Sequence, residues 1–470
     1  MKRDRFQYII TLFILFFTTC LTSKEYAFIS DIHIIGNHKT RDFIIIRELP
    51  FKRGDIVEIS KLEMLMEHGR NNLRNLSLFN FVYVSSLTEI DLFPVKYKNV
   101  EIVISVDERW YHWPVIGITL EERNLSSWLK DPTWNKVTAE TGYKLLNLAG
   151  RNQTLSTLYI FGHNKGFRFK YSNITLGKEG KHFFDFALLR RYSRRENILS
   201  ILDKPEYLYS DTSFLTSSYS ASVVYTYRPR LRVKNKISLE YEYTSLDISV
   251  INNNRKYWGD NKTDRSAFTL TYGLILDQRD DIQYPLDGYY MNYQIKGYTS
   301  ADMSILYGQL KGDLQYYRGL FHRVNFAARV QWALSAKNVE GYIFDRAFGY
   351  DDVSLRGYEF YVADGQHYAV FSPTIRYNIL PTSVYYLKFL RFLPKFNRIH
   401  MTIYGKSFFD AGYVYHKYPN SSNTLSNKLL LSCGLGLDIV TYYDITLSID
   451  YSFNQLRKPG LFVSLKAPLQ

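Results

Sequence analysis

From residue 114 onward the chain alternates between apolar and polar side chains. Ile237, Leu239, Tyr241 and Tyr243 interleave with Lys236, Ser238, Glu240 and Glu242. Tyr289, Met291, Tyr293 and Ile295 interleave with Tyr290, Asn292, Gln294 and Lys296. Ile445, Leu447, Ile449, Tyr451 and Phe453 interleave with Thr446, Ser448, Asp450, Ser452 and Asn454. Period two is the signature of a strand with one apolar and one polar face. Between residues 114 and 467 such segments number about sixteen, an even count that suits a bacterial outer-membrane β-barrel. A soluble sandwich also alternates, but rarely this uniformly or with this many aromatic residues. The longest stretch outside the pattern after residue 190 runs from Leu334 to Gly365, and long loops in compact domains are more often functional than idle.

Residues 28–108 follow a different grammar. Phe28 to Ile35 reads as a strand closed by Gly36-Asn37, and Thr40 is placed to N-cap a helix ending near Glu48. Ser60 and Glu63 have capping-box spacing ahead of a second helix. That helix carries Leu62, Leu65, Met66, Gly69, Leu73 and Leu76 on one face. Phe79–Ser85 and Val100–Asp107 read as two more strands. The order is β-α-α-β-β, a small mixed domain over about 26–110, with a mostly-β barrel over 111–470 and an inward-folded loop at about 334–365.

Composition sharpens this picture. The chain holds 41 Tyr and 31 Phe, and aromatics make up 17% of it, enough for two interfacial girdles around a barrel. Mean hydropathy is −0.24, and beyond the N-terminus no apolar run is long enough for a helical span. Residues 1–23 read as a signal peptide, with Lys2, Arg3 and Arg5 ahead of an apolar core from Phe6 to Phe17. Cys20 lies near the expected cleavage point, and Phe17-Thr18-Thr19 is a poor approach to a lipidated cysteine. Cys433 is the other of two cysteines, so no disulfide or zinc framework is expected after cleavage. The net charge of +14 is assigned to solvated walls and loops, with contact to anionic lipid headgroups or lipid-A phosphates as the functional reading. No nucleic-acid motif occurs, and no such partner is expected of an exported chain.

Several motifs carry a family resemblance. Ile35-Gly36-Asn37, Thr40, Arg47-Glu48-Leu49, Gly54-Asp55 and Asn75-Leu76 with Leu78-Phe79 resemble a POTRA domain, a periplasmic module. Asn147-Leu148-Ala149-Gly150-Arg151-Asn152 resembles an early hairpin turn of the BamA/TamA superfamily of outer-membrane assembly factors. Asp277-Gln278-Arg279-Asp280, with Pro285, Asp287 and Gly288, is similar to its mid-barrel turn. Leu355-Arg356-Gly357-Tyr358 resembles the tip of its inward-folded sixth loop, and Phe409-Asp410-Ala411-Gly412 the late strand that meets it. Glu108-Arg109-Trp110-Tyr111 and Trp113-Pro114 point to a single-POTRA, Bacteroidetes-like branch of this surface-antigen type. Two departures stand out. Thr374 occupies the region where family members commonly carry a second acid, and the chain ends in Pro468-Leu469-Gln470 where an aromatic residue is usual.

The resemblance implies an assembly or insertion factor for outer-membrane proteins, or a polypeptide translocase. It would sit in the bacterial outer membrane with its N-terminal domain in the periplasm. Its partners would be outer-membrane lipids including lipopolysaccharide, unfolded outer-membrane or secreted polypeptide clients, and periplasmic or lipoprotein partners. The site expected is a loop lock, with Arg356 paired to an inward Asp410 while Gly357, Tyr358 and Gly412 allow close approach. The competing reading makes Arg356 a solvated loop charge.

Two other functions remain open, a passive channel and a barrel enzyme. No His-Glu-x-x-His, Gly-x-Ser-x-Gly or phosphate-cradling loop occurs, and no cofactor or metal is expected. Ser127 and Lys130 have Ser-x-x-Lys spacing without companion motifs, and Gly434 and Gly436 read as strand glycines.

Overall fold

The computed structural model describes residues 25–88, 97–120, 137–350, 353–386, 388, 397–441 and 445–466. The expected signal peptide, Cys20, Ser127 to Lys130 and the final Pro468-Leu469-Gln470 lie outside these residues.

The N-terminal domain runs β1 (Tyr26–Ile35), α1 (Asp42–Ile46), β2 (Ile56–Glu58), α2 (Ile59–Arg74), β3 (Phe79–Thr88) and β4 (Lys98–Glu108). Its sheet order is β2-β1-β4-β3, with β1 parallel to β4. The three-residue β2 was not legible from periodicity, which needs more than one alternation to register. Ile29, Ile102 and Ile104 on the sheet meet Ile44, Ile45, Leu62 and Leu73 from the helices in one buried core.

The helix ends differ from the sequence expectation. Arg41 is the N-cap of α1 and gives no side-chain cap bond, while Thr40 Oγ1 donates to Glu108 Oε1 at 2.6 Å. Glu58 is the N-cap of α2, also without a side-chain cap bond, and Ser60 Oγ donates back to Glu58 Oε1 at 2.9 Å. In both places the hydroxyl donates to a carboxylate instead of accepting from a backbone amide of the first turn.

The barrel opens with β5 (His112–Leu120), β6 (Val137–Leu148), β7 (Gln153–Gly162), β8 (Lys165–Leu176) and β9 (His182–Ser193). A side hairpin, β10 (Arg195–Ile201) and β11 (Lys204–Tyr209), precedes β12 (Thr216–Arg230) and β13 (Val233–Leu246). After the short α3 (Ile248–Asn253) come β14 (Asp264–Asp277), β15 (Gly288–Ser300), β16 (Leu306–Phe321) and β17 (Val324–Lys337). The long loop contains β18 (Arg346–Phe348) and β19 (Ala363–Asp364). Last are β20 (His367–Tyr386), β21 (Arg398–Tyr415), β22 (Leu429–Thr441), β23 (Ile445–Asn454) and β24 (Gly460–Lys466).

Leaving out the two side hairpins, sixteen strands pair antiparallel in chain order from β5 to β24. The apolar members of each alternation face outward: Ile237, Leu239, Phe268, Leu270, Ile295 and Leu435 are exposed on one face, as lipid contact requires. Among the described residues no helix is long and apolar enough to cross a membrane.

The N-terminal domain rests on the turns at one end of the barrel. Arg228, at the end of β12, makes two bonds to the Glu48 carboxylate at 2.8 and 2.9 Å, and both side chains are buried. Arg228 Nε also donates to the Gly180 carbonyl at 3.0 Å. Asn147 Nδ2 donates to Thr40 Oγ1 at 2.8 Å, and the Arg41 amide donates to the Gly150 carbonyl at 3.0 Å. Gly150 has φ of +70°, and an added Cβ would run into the Lys39 carbonyl oxygen. The turn is left-handed and pressed against the docked domain at the same residue, which only glycine tolerates well.

Glu48 is also held by Arg47, which is buried 3.3 Å from it, so the site is an Arg-Glu-Arg trio. Arg228→Ala leaves Glu48 with one cation, at a cost below the roughly 3–5 kcal/mol of a fully stranded buried charge. It is expected to loosen the N-terminal domain, read as faster limited proteolysis between β4 and β5. Glu48→Met strands both arginines and should loosen it more, while the triple variant Arg47→Met/Glu48→Met/Arg228→Met, with no charge of the trio left, should recover much of the protection.

Candidate functional site

The loop between β17 and β20 packs on the inner face of the sheet. Leu355 and Tyr358 are buried with Val370, Val414 and Leu430, all on the side opposite the outward aromatic residues. Strand parity places Asp410 on this inner face, where it is 1% exposed, while its neighbour Phe409 is 44% exposed.

Arg356 meets Asp410 directly. Its Nε donates to Asp410 Oδ2 at 2.9 Å and an Nη to Oδ1 at 2.5 Å. The backbone amide of Arg356 donates to Oδ2 as well, at 3.1 Å. This is the planar two-pronged pairing that arginine makes and lysine does not. The other Nη donates to Thr374 Oγ1 at 3.1 Å, and the guanidinium lies 4.0 Å from the centre of the Phe408 ring. Thr374, which sequence reading had marked only as a missing acid, thus serves as a neutral third acceptor.

The flanking residues make the approach close enough. Gly357 has φ of +88°, and a Cβ there would sit 3.3 Å from Ser432 Cβ and from Ser452 Oγ. Its carbonyl accepts from Asn454 Nδ2 at 2.6 Å. Gly412 leaves room for Leu355, whose Cδ1 would lie 3.2 Å from an added Cβ. Tyr358 donates its hydroxyl to the Leu431 carbonyl at 3.2 Å. Ser432, Ser452, Asn454 and Phe408 were missed in the sequence. Parity on β21 to β23 already placed them on the polar face, but nothing local linked them to a loop so distant along the chain.

The second motif does more than turn. Arg279 pairs with Asp277 at 2.8 and 2.7 Å and stacks over Tyr290. The Asp280 carboxylate accepts from the amides of Asp281, Leu286 and Asp287 at 2.8, 3.1 and 3.2 Å, which fixes the β14–β15 loop. Gly288 has φ of +101°, and a Cβ there would strike the Gln278 carbonyl. The loop then crosses to strands that are not its neighbours. Tyr284 donates its hydroxyl to Asp438 Oδ2 at 2.9 Å, and Arg376 donates to the Pro285 carbonyl at 2.8 Å. Lys406 completes the inner network, reaching Asp438 at 2.7 Å and Asp450 at 2.8 Å. From the other side Asn75 of the N-terminal domain binds the same loop, accepting from the Ile282 amide at 3.0 Å.

Among the described residues no ladder joins β5 to β24, so the first and last strands of the sheet each have one unpaired edge. No trio of His, Cys, Asp and Glu among them is arranged to hold a metal.

These features can be set beside known proteins. The sequence model of the Omp85 superfamily domain matches residues 147–458. The chain belongs to the Omp85 superfamily. A second model, the POTRA domain described as a surface antigen variable number repeat, matches residues 27–109. This Omp85 chain is similar in structure to BamA from Haemophilus ducreyi lacking POTRA domains 1–3, with a TM-score of 0.51 and 15% identity, over 94% of this chain and 85% of that one. It is also similar to CdiB from Acinetobacter baumannii, with a TM-score of 0.48 and 14% identity, over 93% of this chain and 73% of that one. At such identities the likeness bears on the fold alone. No curated protein matches by sequence. Omp85 proteins are outer-membrane insertases and translocators of polypeptide, and at that level membership places this chain among them.

Arg356→Ala would leave the Asp410 carboxylate buried without its cation, at a cost of about 3–5 kcal/mol. The expected outcome is a lower temperature for conversion of the folded band in heat-modifiable gel electrophoresis. Arg356→Lys should fall between the two, since it keeps the charge and loses the fork.

Proposed function

We propose that this protein inserts or translocates polypeptide at the outer membrane through a lateral seam between β5 and β24. The observation that carries the reading is that, among the described residues, no ladder joins these two strands, within a sheet that is otherwise continuously paired. A bare strand edge in lipid offers amides and carbonyls that a client strand can satisfy by β-augmentation. Among the described residues β24 has seven residues against ten in β23, so few ladder bonds would have to be exchanged there.

In this reading the Arg356–Asp410 pair is a lock. It holds the loop inside the barrel and braces β20 to β23, so that movement is confined to the seam. A passive channel fits less well, because the β17–β20 loop and the β14–β15 loop both lie against the inner wall. The N-terminal domain faces the periplasm and supplies a docking edge at β3, the outer strand of its sheet, where Tyr83 and Leu87 are exposed. Extended peptides or lipoprotein partners would add there, and lipopolysaccharide would surround the opposite rim.

A disulfide tying β5 to β24, in a Cys433→Ser background, tests the seam. Insertion of a labelled client barrel into liposomes should stop when the bond forms and return on reduction. Full activity with the strands locked together would sink the proposal. The same assay on Arg356→Ala is expected to show reduced insertion.

A further inference from the structure

At the barrel end away from the N-terminal domain, the loops line a half-open cavity of about 550 Å³ with mixed polar and apolar walls. Its walls come from four separate excursions of the chain: Ser200 of the side hairpin, Asn254 after α3, Asp345 and Asp364 of the long loop, and His416 and Tyr418 after β21. None of these residues takes part in the inner-wall lock or the seam.

The walls are fixed by their own hydrogen bonds. The Asp364 carboxylate accepts from the Tyr350 hydroxyl at 2.6 Å and from the Ser200 hydroxyl. Asn423 Nδ2 donates to the same Ser200 oxygen at 2.6 Å. Lys337 Nζ reaches both Asp345 oxygens at 2.6 Å, and Gln366 donates to one of them at 3.0 Å. Burial pushes the Asp364 carboxyl up from its ordinary pKa. Burial also opposes ionisation of Asp345, but His416 and Lys337 prevail and hold its carboxyl below the ordinary value.

One polar atom is left over. His416 Nε2 sits 3.6 Å from Asp345, while its Nδ1 is buried without a hydrogen-bond partner. An unmet buried polar group costs about 1–3 kcal/mol, which a ligand hydroxyl at that nitrogen would remove. At the rim the Tyr418 ring is 60% exposed, a flat apolar surface beside the cleft.

We propose that this cavity binds a neutral saccharide. Carboxylates, amides, hydroxyls and an imidazole converge on it, and they can both donate to and accept from a polyhydroxylated ring. The Asp345 and Asp364 carboxylates are met within the protein, so a cationic ligand gains little, and Lys256 in the wall adds a further donor for a sugar hydroxyl. A divalent cation is disfavoured because Asp345 already holds an ammonium and both Asp364 oxygens hold hydroxyl donors. Tyr418 offers its face to the apolar side of a sugar. The volume falls within the range of roughly 300–1,000 Å³ usual for small-ligand sites and suits a mono- or disaccharide. The inference goes beyond the insertase reading. Only the source of the sugar, free in the medium or carried on a surface lipid, rests on the orientation proposed there.

The test is saturation-transfer NMR and titration calorimetry on the full chain in nanodiscs. The probes are glucose, galactose, mannose, N-acetylglucosamine and their disaccharides. At least one is expected to bind, and His416→Ala and Tyr418→Ala are each expected to weaken it roughly tenfold. Heat-modifiable mobility serves as the folding control, and Tyr418→Ala, at the exposed rim, keeps the test open if the histidine variant misfolds. Absence of binding by every sugar, equal binding by both folded variants, or binding of calcium in their place overturns the proposal. Tighter binding of a glycolipid than of its free sugar assigns the membrane source, and equal binding assigns the free one; both support the site.

Discussion

Every backbone amide and carbonyl that faces hydrocarbon must find a partner in the protein, because lipid offers none. This constraint dictates sixteen strands paired in chain order and outward rows of Ile, Leu, Phe and Tyr. It also gives meaning to the place where the pairing stops. Elsewhere each strand satisfies two neighbours, whereas β5 and β24 satisfy one each among the described residues. Topology, and not any special residue, marks these two edges.

A wall with two such edges among the described residues needs its curvature held by something besides strand pairing. The inner face supplies this with charge-assisted bonds. Arg356 ties the long loop to β21 through Asp410 and to β20 through Thr374, while Gly357 and Asn454 tie it to β23. Lys406 links β21 to Asp438 on β22 and Asp450 on β23, and Tyr284 brings the β14–β15 loop to the same Asp438. These hydrogen bonds cover the strands that lead up to β24, and β24 itself meets the long loop through the Phe462 and Phe360 rings, 5.4 Å apart. Loops from both ends of the barrel therefore brace the C-terminal wall up to β23, the strand on which β24 rests.

Much of this was legible in the sequence because period-two alternation is a local signal. Each of the sixteen strands announced itself through its own side chains, and the same parity placed Asp410 inward. The pairing of Arg356 with Asp410 needed the family resemblance as well, since no local rule links residues so far apart. Thr374 and Tyr284 were not legible as partners. A threonine on a strand carries no charge to suggest an arginine, and a tyrosine in a turn gives no hint that the turn crosses the barrel. The caps of α1 and α2 went wrong for a related reason. Propensity ranks Thr40 and Ser60 as caps, but their hydroxyls are turned to donate to carboxylates, Glu108 brought within reach by the fold and Glu58 two residues back along the chain.

The motifs near residues 40, 48, 75, 147–152 and 280 share a use that no one of them shows alone. In sequence they look like turn and cap signals of two separate domains. In the structure Thr40 meets Asn147, Glu48 meets Arg228, and Asn75 meets the loop that Asp280 organises. They form a continuous polar seat between the N-terminal domain and the barrel turns. The loop fixed by Asp280 holds Asn75 on one side and sends Tyr284 to Asp438 on the other. That loop is hydrogen-bonded in turn to the wall that precedes β24. The N-terminal domain and the C-terminal strands are thus joined by one short chain of hydrogen bonds.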